Sequence, residues 1–274
     1  TPLHVIMYRY FGWTPPEYCH LPMVMGQDGK KLSKRHGATS IDEFRKQGYL
    51  PEALLNYVAL LGASYEEGKE IYTLGELAQR FSLEKLNKAP AVFDYKKLEW
   101  YNGQYIRMKS DEELARLCLP YARASGLFGE DKPSPQQLSV FTAAMPLVKE
   151  RLVFLNEVPE KIAYLFKEPE VPAAEEFIPK KSDLTTTIEL LRHGLEFVNP
   201  LAEAQDDERA ENFIKAEAEK RGVKLGDLMM PLRVAITGSR VSPPLFGSLR
   251  ILGAECSRQR VQKALDKLAM SNEQ

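Results

Sequence analysis

The sequence predicts a mainly α-helical protein, and three observations support this prediction. At four places a Ser or Thr precedes a Glu or Gln by three residues, each time directly before an apolar helical pattern. This capping-box spacing marks helix N-termini, because each side chain can bond a backbone N–H that the helix itself leaves unpaired. Strand patterns are sparse. The chain has 274 residues, of which 44% are hydrophobic and 27% are charged, which suffices for about two domains with a real core.

The predicted helices follow one another along most of the chain. A first helical pattern follows Thr1-Pro2, and the capping boxes predict four further starts, at Ser40, Thr73, Ser110 and Ser134. Pro51 opens another helix, because proline fits a first helical turn, and Gly62 can close it. Apolar residues at the helical period predict the later helices. These lie at about 138–153, 159–167, 184–198, 206–221, 224–236, 244–252 and 256–268.

One strand and one linker are predicted between these helices. The segment from His20 to Gly26 has the best strand pattern, and the Asp28-Gly29 pair that follows is a turn signal. The Pro-rich, acidic stretch from Glu168 to Pro179 is typical of a linker. A further boundary is expected near 105–110. The sequence therefore predicts three regions, 1–107, 108–174 and 175–274.

Composition argues against several classes of protein. No apolar run approaches the roughly 20 residues of a membrane span, and no secretory signal opens the chain. The three cysteines are far apart, at Cys19, Cys118 and Cys256. Neither they nor the four histidines have the spacing of metal ligands, so we expect no metal site, no disulfide and a reducing cytoplasm. Trp13 and Trp100 are expected to be packing anchors.

Charge is unevenly distributed, although the net charge is only −1. Residues 200–219 carry seven acidic side chains against two basic ones, whereas residues 220–267 carry ten basic side chains against three acidic ones. A basic region of this kind suits a polyanion such as nucleic acid. The alternative is that these charges only solvate helix faces, and composition does not choose between the two.

The sharpest local feature is a run of cations between glycines. Gly29-Lys30-Lys31-Leu32-Ser33-Lys34-Arg35-His36-Gly37 places four cations within six residues. Glycines let a backbone approach a ligand, ammonium groups suit phosphate, and Ser33 can add a hydrogen bond to a phosphate oxygen. The run is not a Walker loop, because the required order of glycines and lysine is absent. A solvated basic turn is the alternative on composition alone.

Three blocks in the same order resemble one known family. Lys31-Leu32-Ser33-Lys34-Arg35 resembles the KMSKS signature of class I aminoacyl-tRNA synthetases, and its context from Leu21 to Ser40 resembles the bacterial glutamyl-tRNA synthetases. The blocks from Gly48 to Tyr57 and from Asn87 to Ile106 resemble the same family. Nothing resembles the family's His-Ile-Gly-His ATP motif, and Thr1-Pro2 opens the chain without an initiator Met. We therefore expect a fragment that is inactive as an isolated ligase.

The resemblance implies a fold and an activity. The fold would be the end of a class I nucleotide-binding catalytic domain, then a helical stem-contact region, then an all-α anticodon-binding cage. The parent enzyme would be a monomeric ligase that joins glutamate to ATP, with Mg²⁺, and passes the glutamyl group from glutamyl-adenylate to the glutamate tRNA. Cations placed at the departing pyrophosphate stabilise this transition state more than the ground state. The resemblance makes Lys34 the first catalytic candidate, with Lys31 and Ser33 in support.

The same resemblance implies two sets of binding residues. The expected ATP-binding residues are Lys31, Leu32, Ser33, Lys34 and Arg35. Pro231-Leu232-Arg233 and Ser242-Pro243-Pro244-Leu245 resemble the family's last conserved block, and Arg151 approximately matches an arginine that reads the third anticodon base. The expected tRNA-binding residues are Arg151, Arg233, Ser242, Pro243 and Leu245. The alternative function is a stand-alone RNA-binding module without catalytic activity. For each arginine the alternative is an ordinary side chain with no role in reading RNA, and the sequence block around Arg233 matches the family better than the one around Arg151.

Overall fold

Helices dominate the chain, which confirms the predicted mainly α fold class. The computed structural model describes residues 1–129 and 132–272, and the chain divides between Asn102 and Gly103 into two compact units. Short 3-10 turns and one pair of two-residue strands complete the regular structure of these described ranges.

The first unit combines helices with a minimal parallel sheet. Its helices are α1 (Pro2–Tyr10), α2 (Ile41–Gln47), α3 (Pro51–Gly62), α4 (Leu74–Arg80) and α5 (Tyr95–Arg107), of which α5 continues into the second unit. Strands β1 (Val24–Met25) and β2 (Ala91–Val92) pair in parallel, with Val24 opposite Ala91. Single 3-10 turns lie at Lys34–His36 and Leu83–Lys85.

Local capping chemistry sets the helix starts that the sequence predicts. Ser40 Oγ accepts the N–H of Glu43 at 3.3 Å, and the Glu43 carboxylate accepts the N–H of Ser40 at 3.0 Å. Donation from the backbone of Thr39 and then of Ser40 lowers the pKa of Glu43 to about 2. Helix α3 begins at Pro51 and includes Gly62, so the helix ends one residue later than a glycine stop would place it.

Two buried asparagines join the loops of the first unit to its helices. Asn102 Oδ1 accepts the N–H of Leu50 at 2.8 Å, which fastens the start of α3 to α5. Asn56 on α3 accepts the N–H of Tyr72 at 3.0 Å and donates to the carbonyl of Glu70 at 2.8 Å. Because buried backbone groups must be paired, each asparagine replaces a sheet or helix partner that the irregular loop lacks.

Much apolar surface of the first unit is exposed. No residue of α1 is buried, and Trp13, which stacks on Phe11, is 62% exposed. An apolar cleft of about 610 Å³ lies against α3 and α4. Trp100 is itself 45% exposed. The expectation that both tryptophans are packing anchors is therefore wrong for Trp13, and both indoles of the chain lie in this first unit.

The strand is shorter than the sequence predicts. Of the segment from His20 to Gly26, only β1 is a strand, because its partner β2 offers just two residues for pairing. A two-residue strand leaves no alternating pattern, so β2 has no sequence signal of its own. The turn predicted at Asp28-Gly29 is present, since the N–H of Gly29 donates to the carbonyl of Gly26 at 3.0 Å.

The second unit is helical in all its described regular structure. Its further helices are α6 (Asp111–Ala124), α7 (Pro135–Val148), α8 (Val158–Ile162), α9 (Leu184–Ala202), α10 (Asp207–Lys220), α11 (Leu225–Thr237), α12 (Leu245–Leu252) and α13 (Ala254–Asn272). The 3-10 turns of this unit lie at Lys149–Arg151, Leu155–Glu157, Ala163–Leu165 and Ala174–Glu176. The helices predicted at 138–153 and 159–167 are therefore shorter, since 3-10 turns end them.

Helices α9 to α13 enclose a core that also includes the predicted linker. Leu191 and Phe197 of α9 pack with Leu232 of α11 and Leu268 of α13. Phe177, within the stretch from Glu168 to Pro179, is fully buried in the same core. Arg240 Nε donates to the carbonyl of Glu176 at 2.8 Å, which holds this stretch in place. The segment is therefore only partly a linker in character: Phe177 and Pro179 are buried, whereas several of its acidic residues are exposed.

Candidate phosphate loop and nucleic-acid interface

The cationic run belongs to a closed turn, residues 26–37, which we call the cationic loop. The N–H of Gly26 donates to the carbonyl of Lys30 at 2.7 Å, and the N–H of Leu32 donates to that of Val24 at 3.0 Å. Asp28 Oδ1 accepts the N–H of Lys30 at 3.0 Å. Because of these hydrogen bonds the chain runs back alongside β1, and the two ends of the turn are held together.

The predicted ATP-binding residues divide into exposed cations and partly buried neighbours. Lys31, Lys34 and Arg35 are exposed, whereas Leu32 and Ser33 are half-buried. Lys34 begins the 3-10 turn at the end of the loop, so its side chain leaves from a regular backbone. The loop therefore presents its ammonium and guanidinium groups to solvent, as a site for phosphate requires.

His36 connects the two ends of the cationic loop. Its Nδ1 lies 3.0 Å from both the backbone nitrogen and the Oγ of Ser33, and its Nε2 lies 3.1 Å from Asp28 Oδ1. The sequence alone assigned no role to His36. The available signal was an acidic turn residue, Asp28, on the opposite side of the same loop.

A second candidate site is a cleft of about 540 Å³ in the second unit. Arg151 and Tyr164 line one side, and the connection between α11 and α12, residues 238–244, lines the other. Val241 at the tip of this connection is 83% exposed. Glu157, also in the lining, pairs with Lys161 at 3.4 Å. The mixed charge suits hydrogen bonding to a base edge better than tracking a row of phosphates.

Two predicted arginines converge on the same part of this connection. Arg233 Nη1 donates to Ser242 Oγ at 2.7 Å and to the carbonyl of Pro243 at 3.0 Å. Arg151 Nη1 donates to the carbonyl of Ser242 at 3.2 Å, and its side chain is exposed. Burial, followed by the charge of Arg151, lowers the pKa of Arg233. Two guanidinium groups this close favour an acceptor-rich ligand.

The remaining predicted RNA contacts differ in accessibility. Ser242 is half-buried beside both arginines, so the structure brings these three residues together. Pro243 is buried, and Leu245 is only 2% exposed because its side chain packs into the helical core. Leu245 is therefore far less accessible to a ligand than Ser242, and its part in tRNA binding stays a prediction. The sequence block that contains Leu245 forms the start of α12, which explains its packing role.

Local chemistry holds the connection in one conformation. Gly238 ends α11 with a φ of +75°, and a Cβ there would lie 2.8 Å from Pro169 Cβ, so only glycine fits. Thr237 Oγ1 donates to the carbonyl of Ser239 at 3.1 Å, and the N–H of Val241 donates to Ser239 Oγ at 3.2 Å. The segment that faces the cleft is thus fixed by its own residues as well as by the arginines.

A buried arginine supports both walls of the cleft. Arg260 on α13 is 6% exposed, and its Nη1 and Nη2 donate to the carbonyls of Ile236 and Tyr164 at 2.7 and 2.8 Å. The hydroxyl of Tyr164 lies 2.6 Å from Ser248 Oγ. Sequence reasoning missed Arg260, since nothing in its local pattern distinguishes it from a surface arginine.

Most of the basic side chains in residues 220–267 are engaged within the fold. Arg221 contacts Glu217, and Arg250 contacts Asp207. Lys263 lies 2.6 Å from Glu168. These pairs favour the alternative in which the charges solvate and join helix faces. A ligand would therefore meet particular side chains at the cleft rather than a broad basic surface.

Residues 1–129 and 132–272 contain neither a membrane-spanning helix nor a cluster of metal-ligating side chains. No helix there is both long and apolar enough to span a membrane. No group of three or more His, Cys, Asp or Glu side chains gathers there in a way that could hold a metal ion.

Comparison with known families connects these two sites to one class of protein. The family model for the anticodon-binding domain matches residues 113–265, which include the cleft. The model for the catalytic domain of class I tRNA synthetases, of the E and Q type, matches residues 1–100, which include the cationic loop. The fold and sites therefore define part of a class I aminoacyl-tRNA synthetase, a class that uses ATP as a substrate.

Comparison with individual relatives identifies the family within this class. The chain is 53% identical over 283 residues to a glutamate–tRNA ligase of Treponema denticola, covering 97% of this chain and 56% of the relative. It is 40% identical over 274 residues to that of Borreliella burgdorferi, covering 98% of this chain and 55% of the relative. The chain belongs to the glutamate–tRNA ligase family and corresponds to a C-terminal portion of it.

A solved structure agrees with this family. The crystal structure of a glutamate tRNA ligase from Elizabethkingia meningosepticum, in complex with its amino acid, matches with a TM-score of 0.74 at 28% identity. The match covers 97% of this chain and 54% of that one. The chain thus spans about half the length of the relatives that it matches.

Proposed function

We propose that this chain supplies the ATP-phosphate loop and the anticodon-reading part of a glutamate–tRNA ligase. The observation that carries the proposal is the convergence of Arg151 and Arg233 on Ser242, at a cleft inside the matched anticodon-binding domain. Arg151 is the base-reading side chain in this proposal, since it is exposed. Arg233 positions the connection that forms the opposite wall.

The proposed reaction places the cationic loop at the phosphates of ATP. Glutamate attacks the α-phosphate, which gives glutamyl-adenylate and pyrophosphate, and the glutamyl group then passes to the glutamate tRNA. Lys34, with Lys31 and Ser33, stabilises charge that grows on the departing pyrophosphate, with Mg²⁺ as the accompanying ion. We further propose a monomer that works in the cytoplasm, in keeping with three free cysteines. The division into 1–107, 108–174 and 175–274 belongs to the same proposal.

The cleft should distinguish bases rather than backbone charge. We expect Arg151→Ala to weaken binding of the cognate anticodon stem–loop by about 1–3 kcal/mol, the value of one good base-edge contact. Arg233→Ala should weaken the same binding indirectly, because the connection that it holds through Ser242 and Pro243 is released. Stem–loops with an altered anticodon base should lose less, because the contact is already broken there. Fluorescence anisotropy of labelled stem–loops, arranged as a double-mutant cycle of arginine against base, measures this coupling.

Arg258→Ala is the matched control, because Arg258 is an exposed arginine of the same unit and its loss changes the charge equally. Arg258→Ala should weaken the binding of all stem–loops slightly and to the same extent. Arg151→Lys separates charge from geometry, since lysine keeps the charge but not the planar fork. Equal losses on every anticodon would show that these arginines are backbone or structural contacts.

A second candidate function is an RNA-binding module without catalysis. It is favoured by the extent of the matches, since the anticodon-binding domain accounts for residues 113–265 and the catalytic domain for only 1–100. The two candidates differ in chemistry. A ligase requires an ATP site completed by further residues, whereas a module requires only the cleft.

Adenylate formation separates these candidates. We expect this chain alone to give no ATP–pyrophosphate exchange with glutamate and tRNA, because it has only one of the family's two ATP motifs. A chimeric ligase, in which the N-terminal part of the Treponema denticola relative precedes this chain, should exchange. Exchange by the chain alone would contradict the first expectation, and an inactive but folded chimera that still binds tRNA would favour the module.

A further inference from the structure

We propose that His36 is a positioning residue, whose neutral ring, protonated on Nε2, bridges Ser33 and Asp28 and fixes the cationic loop for polyphosphate. The bridge joins the turn that precedes Lys31 to the residue that precedes Lys34. The inference rests on the proposed function to the extent that the loop binds phosphates. The bridge itself rests on geometry alone.

The hydrogen bonds determine which ring nitrogen carries the proton. The backbone N–H of Ser33 can only donate, and it points at His36 Nδ1 at 3.0 Å, which favours a lone pair on Nδ1. The competing acceptor for a protonated Nδ1 is the carbonyl of Ser33 at 3.2 Å, which already accepts the backbone N–H of His36 at 2.9 Å. In a neutral imidazole the proton is then on Nε2. Nε2 lies 3.1 Å from Asp28 Oδ1, which accepts it. The ring therefore uses both nitrogens, one as acceptor and one as donor.

Packing holds the ring against the base of the loop. A Cβ on Gly26 would lie 2.7 Å from Cδ2 and 2.8 Å from Nε2 of His36, so the imidazole rests directly on the glycine backbone. The His36 side chain is 20% exposed. The N–H of His36 also donates to the carbonyl of Ser33 at 2.9 Å, which closes the 3-10 turn. The ring thus has few alternative rotamers.

Asp28 is suited to its part in the bridge. Its Oδ1 accepts from the N–H of Lys30 at 3.0 Å as well as from His36. The first of these bonds, more than the His36 contact, lowers the pKa of Asp28, so the carboxylate is an ionised acceptor at neutral pH. The Asp28 carboxylate therefore accepts hydrogen bonds both from the backbone of its own turn and from the His36 ring.

The bridge has a direct effect on the cations. Lys31 lies between its two anchor points, and Lys34 follows Ser33 at once. Without the bridge the backbone between residues 28 and 33 gains conformations that a bound polyphosphate must remove. Preorganisation of this kind raises affinity by lowering the ordering cost. Loss of one such hydrogen-bonded anchor changes affinity by roughly 2- to 12-fold.

Ring-nitrogen NMR tests the bridge without any activity. The chain has four histidines, so long-range ¹H–¹⁵N spectra of histidine-labelled protein are readily resolved. We expect His36 to show an unprotonated Nδ1 and a protonated Nε2 at neutral pH. Asp28→Ala should shift this ring towards a mixture of tautomers. A protonated Nδ1 in the wild type, or an averaged ring that ignores Asp28→Ala, would overturn the proposal.

Polyphosphate binding tests the consequence. Inorganic tripolyphosphate is titrated into the chain by calorimetry, with His4→Asn on exposed α1 as the histidine control. We expect His36→Ala to weaken binding by roughly 2- to 12-fold. His36→Asn keeps an acceptor at the Nδ1 position and His36→Gln keeps a donor at the Nε2 position, so each should recover part of the loss. His36→Ala should cost less affinity in an Asp28→Ala background than in the wild type, because the bridge is already broken there.

The outcomes separate the bridge from the phosphate role. If the wild type binds tripolyphosphate and His36→Ala binds it with the same affinity, His36 has no positioning role. Equal losses in the Ala, Asn and Gln variants also overturn that role, because they indicate general disruption. A wild-type chain that binds no tripolyphosphate contradicts the proposed phosphate function of the loop, and the ring-nitrogen spectrum then decides the bridge independently.

Discussion

Replacing Lys34 with alanine should lower the rate of glutamyl-adenylate formation by about 10²–10³, the cost of removing one preorganised transition-state donor. The exposed ammonium group of Lys34 leaves from a regular 3-10 turn at the end of the cationic loop. Charge on the departing pyrophosphate is greater in the transition state than in ATP, so the loss should appear in the rate rather than in substrate binding. Single-turnover kinetics of the chimeric ligase described above measure it.

Lys96→Ala provides the charge-matched control for this experiment. Lys96 is an exposed lysine of α5 in the same unit, and no catalytic role is assigned to it. Its loss should leave the rate within about twofold of the parent, as expected for an exposed charge. Binding of the anticodon stem–loop should be unchanged in both variants. Near-normal turnover of Lys34→Ala would remove Lys34 from the mechanism.

Replacing Arg260 with alanine should lower the free energy of unfolding by about 3–6 kcal/mol, since it removes two hydrogen bonds from a charged donor to buried carbonyls, each worth about 1.5–3 kcal/mol. The variant leaves the carbonyls of Ile236 and Tyr164 without this donor. Urea denaturation followed by far-UV circular dichroism measures the change. Hydrogen exchange should show the largest loss of protection in α11 and α13.

Arg258→Ala tests whether charge alone explains that loss. Arg258 lies on the same helix, is exposed and donates to Asn199 Oδ1 at 3.0 Å. Its removal should cost within about 0.5 kcal/mol, as surface substitutions do. Arg260→Lys should fall between the two, because one ammonium replaces a fork that reaches two carbonyls. If the Arg258 and Arg260 variants are equally stable, Arg260 does not support the cleft.

The sequence predicts the helices well because their signals are local. Ser40 with Glu43, and Thr73 with Glu76, cap their helices as a three-residue spacing requires. The apolar period gives the bodies of α9 to α13 for the same reason, since one buried face repeats within each helix. Helix ends are less accurate, because 3-10 turns after α7 and α8 depend on packing beyond those helices.

Long-range structure is not predictable in this way. Strand β2 pairs with β1 across some 67 residues of chain and is only two residues long. Arg260 and the carbonyl of Tyr164 are 96 residues apart. Phe177 lies in a segment whose proline and acidic composition resembles a linker, yet its single aromatic ring completes the core. One residue in a polar segment gives no period, so its burial depends on the fold as a whole.

The candidate sites follow from resemblance more than from chemistry read off the residues. The motif around Lys34 and the block around Arg233 supply the candidate residues. The structure brings Arg151, Arg233 and Ser242 together, and the binding roles of these residues stay predictions. The part that each residue plays in the fold did not follow from the resemblance. Leu245 packs inward, and His36 connects the ends of a loop in which only the cations had been considered.

The position of the two tryptophans makes intrinsic tryptophan fluorescence specific to the first unit. Trp13 and Trp100 both precede Gly103, so the second unit emits through tyrosine alone. Tyr164 lines the same cleft as Arg151. Indole emission therefore reports on the first unit, whereas the tyrosine of the cleft reports on the second. A change in indole emission when intact tRNA is added would report binding at residues 1–102. Tyrosine emission from the same sample is measured separately.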